Sequence, residues 1–193
     1  NQASALIKCY RSPQYGGNGG GSFSDDLTEI NRITKVTIRH GAIIDSIQTT
    51  WLSTTGATVV GTRYGGDGGS STEFTINDGE NICKIAGRSG DSIDQLTFYT
   101  DKGRQFGPYG GNGGKEFEIS NVIVRGFFGR SGQCLDALGV FSLSPQRSGE
   151  SHSLYFTRSP LYGSYYGFPF SDNITQTDKI HKVHIKYGDI INS

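Results

Sequence analysis

The 193-residue sequence has no methionine, one tryptophan, four histidines and five prolines. No apolar run approaches the roughly 18 residues needed to cross a bilayer as a helix, so membrane insertion is not expected. A charged n-region followed by an apolar stretch and a cleavage site is also missing from the start. Without methionine the chain reads as one whose initiator or leader has been removed, and the sequon Asn173-Ile174-Thr175 agrees with an expected secreted location. Neither sign of charge is in excess, with 18 basic and 18 acidic residues, so nothing points to nucleic acid or an anionic membrane surface and a neutral ligand fits better. Cys9, Cys83 and Cys134 are odd in number and lack Cys-x-x-Cys spacing, which leaves a disulfide plus one thiol, or three thiols, and makes them poor metal ligands. His40, His152, His181 and His184 have neither ligand-spaced partners nor a nucleophile motif beside them. No enzyme activity, metal or cofactor is expected.

Glycine is abundant, at 29 residues, and it clusters between short runs rich in Val, Ile, Phe and Tyr, a pattern of short strands joined by tight turns. One motif pair recurs down the chain. A glycine loop after an aromatic occurs as Tyr15-Gly-Gly-Asn-Gly-Gly20, Tyr64-Gly-Gly-Asp-Gly-Gly69 and Tyr109-Gly-Gly-Asn-Gly-Gly114, at spacings of 49 and 45 residues. A Gly-x-x-x-Asp segment occurs as Gly41-Ala-Ile-Ile-Asp45, Gly90-Asp-Ser-Ile-Asp94 and Gly132-Gln-Cys-Leu-Asp136, at spacings of 49 and 42. Between them, stretches such as Ile33-Thr-Lys-Val36-Thr-Ile38 and Val122-Ile-Val124-Arg-Gly-Phe127 alternate with a period near two and predict half-buried strands. About four strands per unit is the size of a Greek key, and three such units around an axis would bury one apolar interior.

A partial fourth copy follows. At an offset of 147 residues, Ile7 to Ser46 pairs without a gap with Leu154 to Ser193. Arg11-Ser-Pro13 meets Arg158-Ser-Pro160, and Ile33-Thr-Lys-Val36 meets Ile180-His-Lys-Val183. The expected organisation is one domain over 1–147 and the first Greek key of a second over 148–193. That copy carries Gly163-Ser-Tyr-Tyr-Gly167 for the glycine loop and Asn192 for the aspartate, so no competent site is expected in it.

A sugar ring presents hydroxyls that both donate and accept, so a site for it needs a fixed anionic acceptor beside closely approaching backbone. The aspartate of Gly-x-x-x-Asp supplies charge-assisted acceptance from vicinal hydroxyls, and the glycine loop, lacking Cβ atoms, lets main chain come near. A lone glycine loop is more often a hairpin turn, and a lone Gly-x-x-x-Asp says almost nothing. Three alternating copies change the balance, because turns alone do not require an aspartate at the same place each time.

With Gly107-Pro-Tyr-Gly-Gly-Asn-Gly-Gly-Lys-Glu-Phe117, Gly126-Phe-Phe-Gly-Arg-Ser-Gly132 and Leu135-Asp136-Ala-Leu-Gly-Val-Phe141, the chain resembles the jacalin-related lectins over about Ile7 to Pro145. The resemblance implies an all-β β-prism of three Greek-key four-stranded sheets with pseudo-threefold symmetry, the partial repeat being additional. It implies reversible, metal-independent binding of glycans or glycoproteins. It also implies sites that pair the Gly-x-x-x-Asp loop of one Greek key with the glycine loop of another: Gln133, Cys134 and Asp136 with Gly20; Ala42, Ile43 and Asp45 with Gly69; Asp91, Ser92 and Asp94 with Gly114. The residues before Tyr15 run into the first loop uncut, which by the same likeness places the chain in the mannose/glucose-preferring branch. The second glycine loop is longer before its aromatic, Ser70-Ser71-Thr72-Glu73-Phe74, and predicts a reshaped Asp45 site. The rival reading is a matrix or assembly protein that uses the fold as a scaffold. An oligomeric or tandem partner acting through 148–193 is expected in either case, because an incomplete sheet leaves strand edges to be covered.

Overall fold

The structure is a computed structural model that describes residues 8–28, 30–143 and 154–156. These belong to one compact unit, 6–157; a second unit, 1–5 with 158–193, lies outside the described residues. The expected C-terminal repeat, 148–193, lies outside the described residues apart from 154–156.

Among the described residues every element is a strand. β1 (Lys8–Arg11), β2 (Tyr15–Gly16) and β3 (Gly21–Ser24) precede two complete four-stranded units. The first unit comprises β4 (Ile30–His40), β5 (Ile44–Ser53), β6 (Thr58–Gly65) and β7 (Ser70–Thr75). The second comprises β8 (Ile82–Ser89), β9 (Ile93–Thr100), β10 (Gln105–Gly110) and β11 (Lys115–Ser120). β12 (Val124–Ser131), β13 (Leu135–Ser142) and β14 (Leu154–Phe156) follow. The orders β6-β5-β4-β7 and β10-β9-β8-β11 are Greek keys, with a three-strand meander whose next strand returns beside the first. The remaining sheet is assembled from both ends of the prism sequence, since β12 and β13 are flanked by β3 on one side and by β1 and β2 on the other.

That sheet departs from the expected four plain strands. Its edge strand is broken at Ser12-Pro13, where proline has no N–H for the ladder. Ser12 bridges the break, its N–H donating to the Val140 carbonyl and its Oγ accepting from the Val140 N–H, both at 2.9 Å. β14 then adds an antiparallel strand outside β1, with Cys9 opposite Tyr155.

The three sheets enclose one core, and its residues recur at repeat-equivalent positions. Ile44, Ile93 and Leu135 open β5, β9 and β13 and are all fully buried, as are Ile47, Leu96 and Leu138 three residues on. The alternating patterns around β4 and β12 thus mark inward faces. Aromatic stacks sew sheet to sheet. Tyr15 lies on Phe117 with centroids 4.6 Å apart, Tyr64 on Phe23 at 4.1 Å, and Tyr109 parallel to Phe74 at 6.4 Å with Phe106 stacked on Phe74 at 4.3 Å. Each tyrosine opens a glycine loop, and Phe23, Phe74 and Phe117 each follow one, so the packing that closes the core also fixes the loops. The three cysteines are free thiols, with Cys9 buried.

Candidate carbohydrate site

Each glycine loop joins two strands of a sheet whose other hairpin ends in a Gly-x-x-x-Asp turn. The turn is narrow in all three copies, the N–H of Gly41, Gly90 and Gly132 donating at 3.0 Å to the carbonyl two residues ahead. Behind it, the aspartate carbonyl accepts from the second glycine of the loop at 2.9 Å: Gly66 to Asp45, Gly111 to Asp94, Gly17 to Asp136. The two loops of a site therefore belong to one sheet. This corrects the expectation that each site joins loops of two different Greek keys, and the reason is the pairing β2–β13, β5–β6 and β9–β10, which draws the loops together locally.

The carboxylates lie against the bare glycines. A Cβ on Gly20 would stand 2.5 Å from Asp136 Oδ2, and one on Gly69 or Gly114 would stand 2.6 Å from Asp45 Oδ2 or Asp94 Oδ2. These three glycines share φ of +61°, +62° and +66°, a left-handed conformation that L side chains rarely adopt. Only glycine meets both requirements. All three aspartates are half-buried, and Asp136 Oδ2 is enclosed with no hydrogen-bond partner. A buried acceptor without a donor is costly, and here it sits at the place where chemistry is expected.

The other predicted residues stay with their aspartates. Gln133, Ala42 and Asp91 are exposed at the first position of each turn; Cys134, Ile43 and Ser92 are half-buried beside them. Cys134 Sγ approaches Asp136 Oδ1 at 3.8 Å, and burial, then the Asp136 and Asp45 carboxylates, push its thiol pKa up. The first position of each turn also touches the next loop round the prism: the carbonyls of Gln133, Ala42 and Asp91 sit where Cβ atoms on Gly66, Gly111 and Gly17 would be. The three sites thus abut in a closed cycle.

The long second loop does not reshape the Gly69–Asp45 contact. Its two extra residues extend the β4–β7 ladder to His40↔Ser70, and an even insertion keeps Phe74 on the inner face. The local difference is His40, whose Nε2 lies 3.0 Å from Thr72 Oγ1 and whose ring lies 5.0 Å from that of Tyr109.

Three arginines escaped the sequence reading. Arg130 donates from Nε to the Gly19 carbonyl at 2.8 Å and from Nη2 to the Gly20 carbonyl at 2.6 Å. Arg88 does the same to Gly113 and Gly114 at 3.0 and 2.9 Å, and Arg39 to Gly68 and Gly69 at 3.0 and 2.9 Å. A planar guanidinium can hold two successive carbonyls as one fork, and each grip fixes the glycines facing the carboxylate. The signal was present as Arg39, Arg88 and Arg130, each six residues before its aspartate. Among the described residues no group of three or more His, Cys, Asp or Glu could hold a metal ion.

Residues 12–141 match the Jacalin-like lectin domain. An agglutinin of Castanea crenata is 33% identical over 104 residues, covering 51% of this chain and 33% of its own length. Griffithsin of Griffithsia sp. is 46% identical over 46 residues, 24% of this chain and 38% of its own. The chain thus spans about a third of the length of the curated relatives it matches. Among solved structures, Malaysian banana lectin is 37% identical with a TM-score of 0.62, over 68% of this chain and 96% of its own. A mannose-binding jacalin-related lectin from Ananas comosus is 29% identical with a TM-score of 0.64, over 69% and 96%. With the repeat, the prism and the glycine-faced aspartates in agreement, the chain belongs to the jacalin-like lectin family, a class of carbohydrate-binding proteins and not of enzymes.

Proposed function

We propose that this protein is a multivalent lectin for mannose/glucose-type glycans, with sites at Asp136, Asp45 and Asp94. The observation that carries the reading is the threefold placement of a carboxylate against a forked, side-chain-free glycine pair. Each carboxylate accepts from two neighbouring hydroxyls of a pyranose, with bonds roughly twice as strong as neutral ones. Backbone N–H groups of Gln133 and Cys134, Ala42 and Ile43, or Asp91 and Ser92 donate to the ring's oxygens, and Gly20, Gly69 or Gly114 lets the sugar close on the main chain. The mannose preference draws support from relatives described as mannose-binding, from Ananas comosus and from champedak.

Calorimetric titration of the full chain with methyl α-mannoside tests this. The expected stoichiometry is three per chain, falling by one in each of Asp45→Ala, Asp94→Ala and Asp136→Ala and to none in the triple variant. Undiminished sugar binding by the triple variant would sink the assignment of sites, and no binding of any neutral sugar by the parent would sink the lectin reading.

A further inference from the structure

The three sheets are equivalent in backbone but not on their outward faces. Two residues before the loop-holding arginine stand Phe128, Thr37 and Ala86 in the three repeats. In the sheet of β12 and β13 that place is filled: Phe128 is buried, packs on Phe141 with centroids 5.1 Å apart, and is capped by the Arg11 guanidinium 4.0 Å from its ring. In the sheet of β8 to β11, Ala86 leaves the same place open, as a trough of about 640 Å³.

The trough is ordered in rows by strand register. Its upper row is Glu116, Arg88 and Gln95, its middle row Glu118, Ala86 and Thr97, and its lower end Tyr99 with Gln105. The upper row is part of the Asp94 loop's support: Arg88 grips Gly113 and Gly114, while Gln95 Nε2 donates to the Gly111 carbonyl at 3.0 Å and to Asn112 Oδ1 at 3.2 Å. Asn112 itself lines the trough. The hollow therefore begins at the glycine loop of one site and runs away from it along the strands. Each row advances two residues, about 7 Å, so three rows extend about 14 Å, longer than one pyranose ring.

Its chemistry is that of a neutral polyhydroxylated chain. The Gln95 amide, its N–H groups donated to the loop, offers its oxygen; the Gln105 amide and the Thr97 hydroxyl offer donors and acceptors, and the Tyr99 ring, with the Lys84 ammonium 4.2 Å from its centroid, offers the face that Lys84 leaves uncovered. The cation of the upper row is engaged with Glu116 at 3.3 Å as well as with the loop, and Glu118 offsets the Lys84 ammonium that lies over Tyr99, so the two charges of each sign leave no net charge to select an ionic chain. We propose that this face extends the Asp94 site and takes the internal residues of a linear neutral oligosaccharide whose terminal unit sits at Asp94. The Asp136 site, with Phe128 and Arg11 in the corresponding place, has no such extension. The inference rests on the carbohydrate-binding reading above and adds a chain-length preference that distinguishes the Asp94 site from the Asp136 site.

The test uses the full chain carrying Asp45→Ala and Asp136→Ala, so that the Asp94 site alone remains, titrated with methyl α-mannoside and with a linear mannopentaose. The expected result is at least tenfold tighter binding of the pentasaccharide. Ala86→Phe, which refills the trough, and Tyr99→Ala, which strips its floor, are each expected to erase that advantage while leaving the monosaccharide constant unchanged. An advantage that survives in a folded Ala86→Phe protein, or in Tyr99→Ala should the first variant fail to fold, overturns the extension. So does an equal preference in the protein that retains Asp136 alone. Failure of both sugars to bind the parent chain overturns the lectin reading instead, and with it this one.

Discussion

At the scale of the residue, the structure gives the arginines a role that spacing alone did not reveal. Arg130 makes two charge-assisted bonds to carbonyls of the loop facing Asp136 and a third, at 3.1 Å, to Ser22 Oγ. A lysine keeps the charge but offers a point, not a fork. Arg130→Lys is therefore expected to weaken the Asp136 site about tenfold, the loss of roughly 1.4 kcal/mol, with little change in thermal midpoint because the bonds lie on an exposed surface. Calorimetry of the Asp136-only protein reads the affinity, and an unchanged constant refutes the positioning role. The glycines and aspartates were legible because their requirement is local: a left-handed φ and a missing Cβ leave a mark in a single sequence. An arginine on a strand is common, and only the geometry of its two carbonyl partners distinguishes it.

At the scale of the element, one buried carboxyl deserves a pH experiment. Asp25, at the end of β3, is 6% exposed, and its Oδ2 accepts the Phe127 N–H at 2.7 Å, standing in for a strand carbonyl. Burial raises its pKa to about 7, and the Phe127 bond only partly opposes this. Below the ordinary carboxylate range, folded and unfolded chains both hold the proton. Between that range and about 7 only the folded chain does, so stability is lost as pH rises through this window, by on the order of a few kcal/mol. Asp25→Asn keeps an acceptor for Phe127 without the ionisation. Urea midpoints measured from pH 4 to pH 8 are expected to fall for the parent and stay nearly level for the variant, and parallel curves would contradict the assignment. Strand period and the three Greek keys were readable from alternation and turns. The break between β1 and β2 was half readable, since Pro13 announces it while the Ser12 side chain that repairs the ladder does not. That each site's two loops share a sheet was not readable at all, because strand pairing depends on contacts as distant as Leu138 with Tyr15.

At the scale of the whole molecule, the sites are coupled by contact. Gly66 belongs to the loop of the Asp45 site, but a Cβ on it would strike the carbonyl of Gln133 in the Asp136 turn, whereas the nearest atoms to one on Gly69 are those of its own carboxylate and the backbone of His40. Gly66→Ala is accordingly expected to weaken both the Asp45 and the Asp136 sites, and Gly69→Ala the Asp45 site alone. Stoichiometries from single-site backgrounds decide this, and identical profiles for the two substitutions would disprove coupling. The three proposed sites, held on one body, would gain avidity through high effective concentration, so the loss of two is expected to cost more in agglutination than in single-sugar affinity.

The cycle of carbonyls against bare glycines also has a direction: each turn leans on a neighbour and is never leaned on by that same one. A swelling at any point must push around the ring until it returns to where it started. Tolerance for bulk is accordingly a shared resource, and a side chain added to one glycine loop is expected to be felt at the other two.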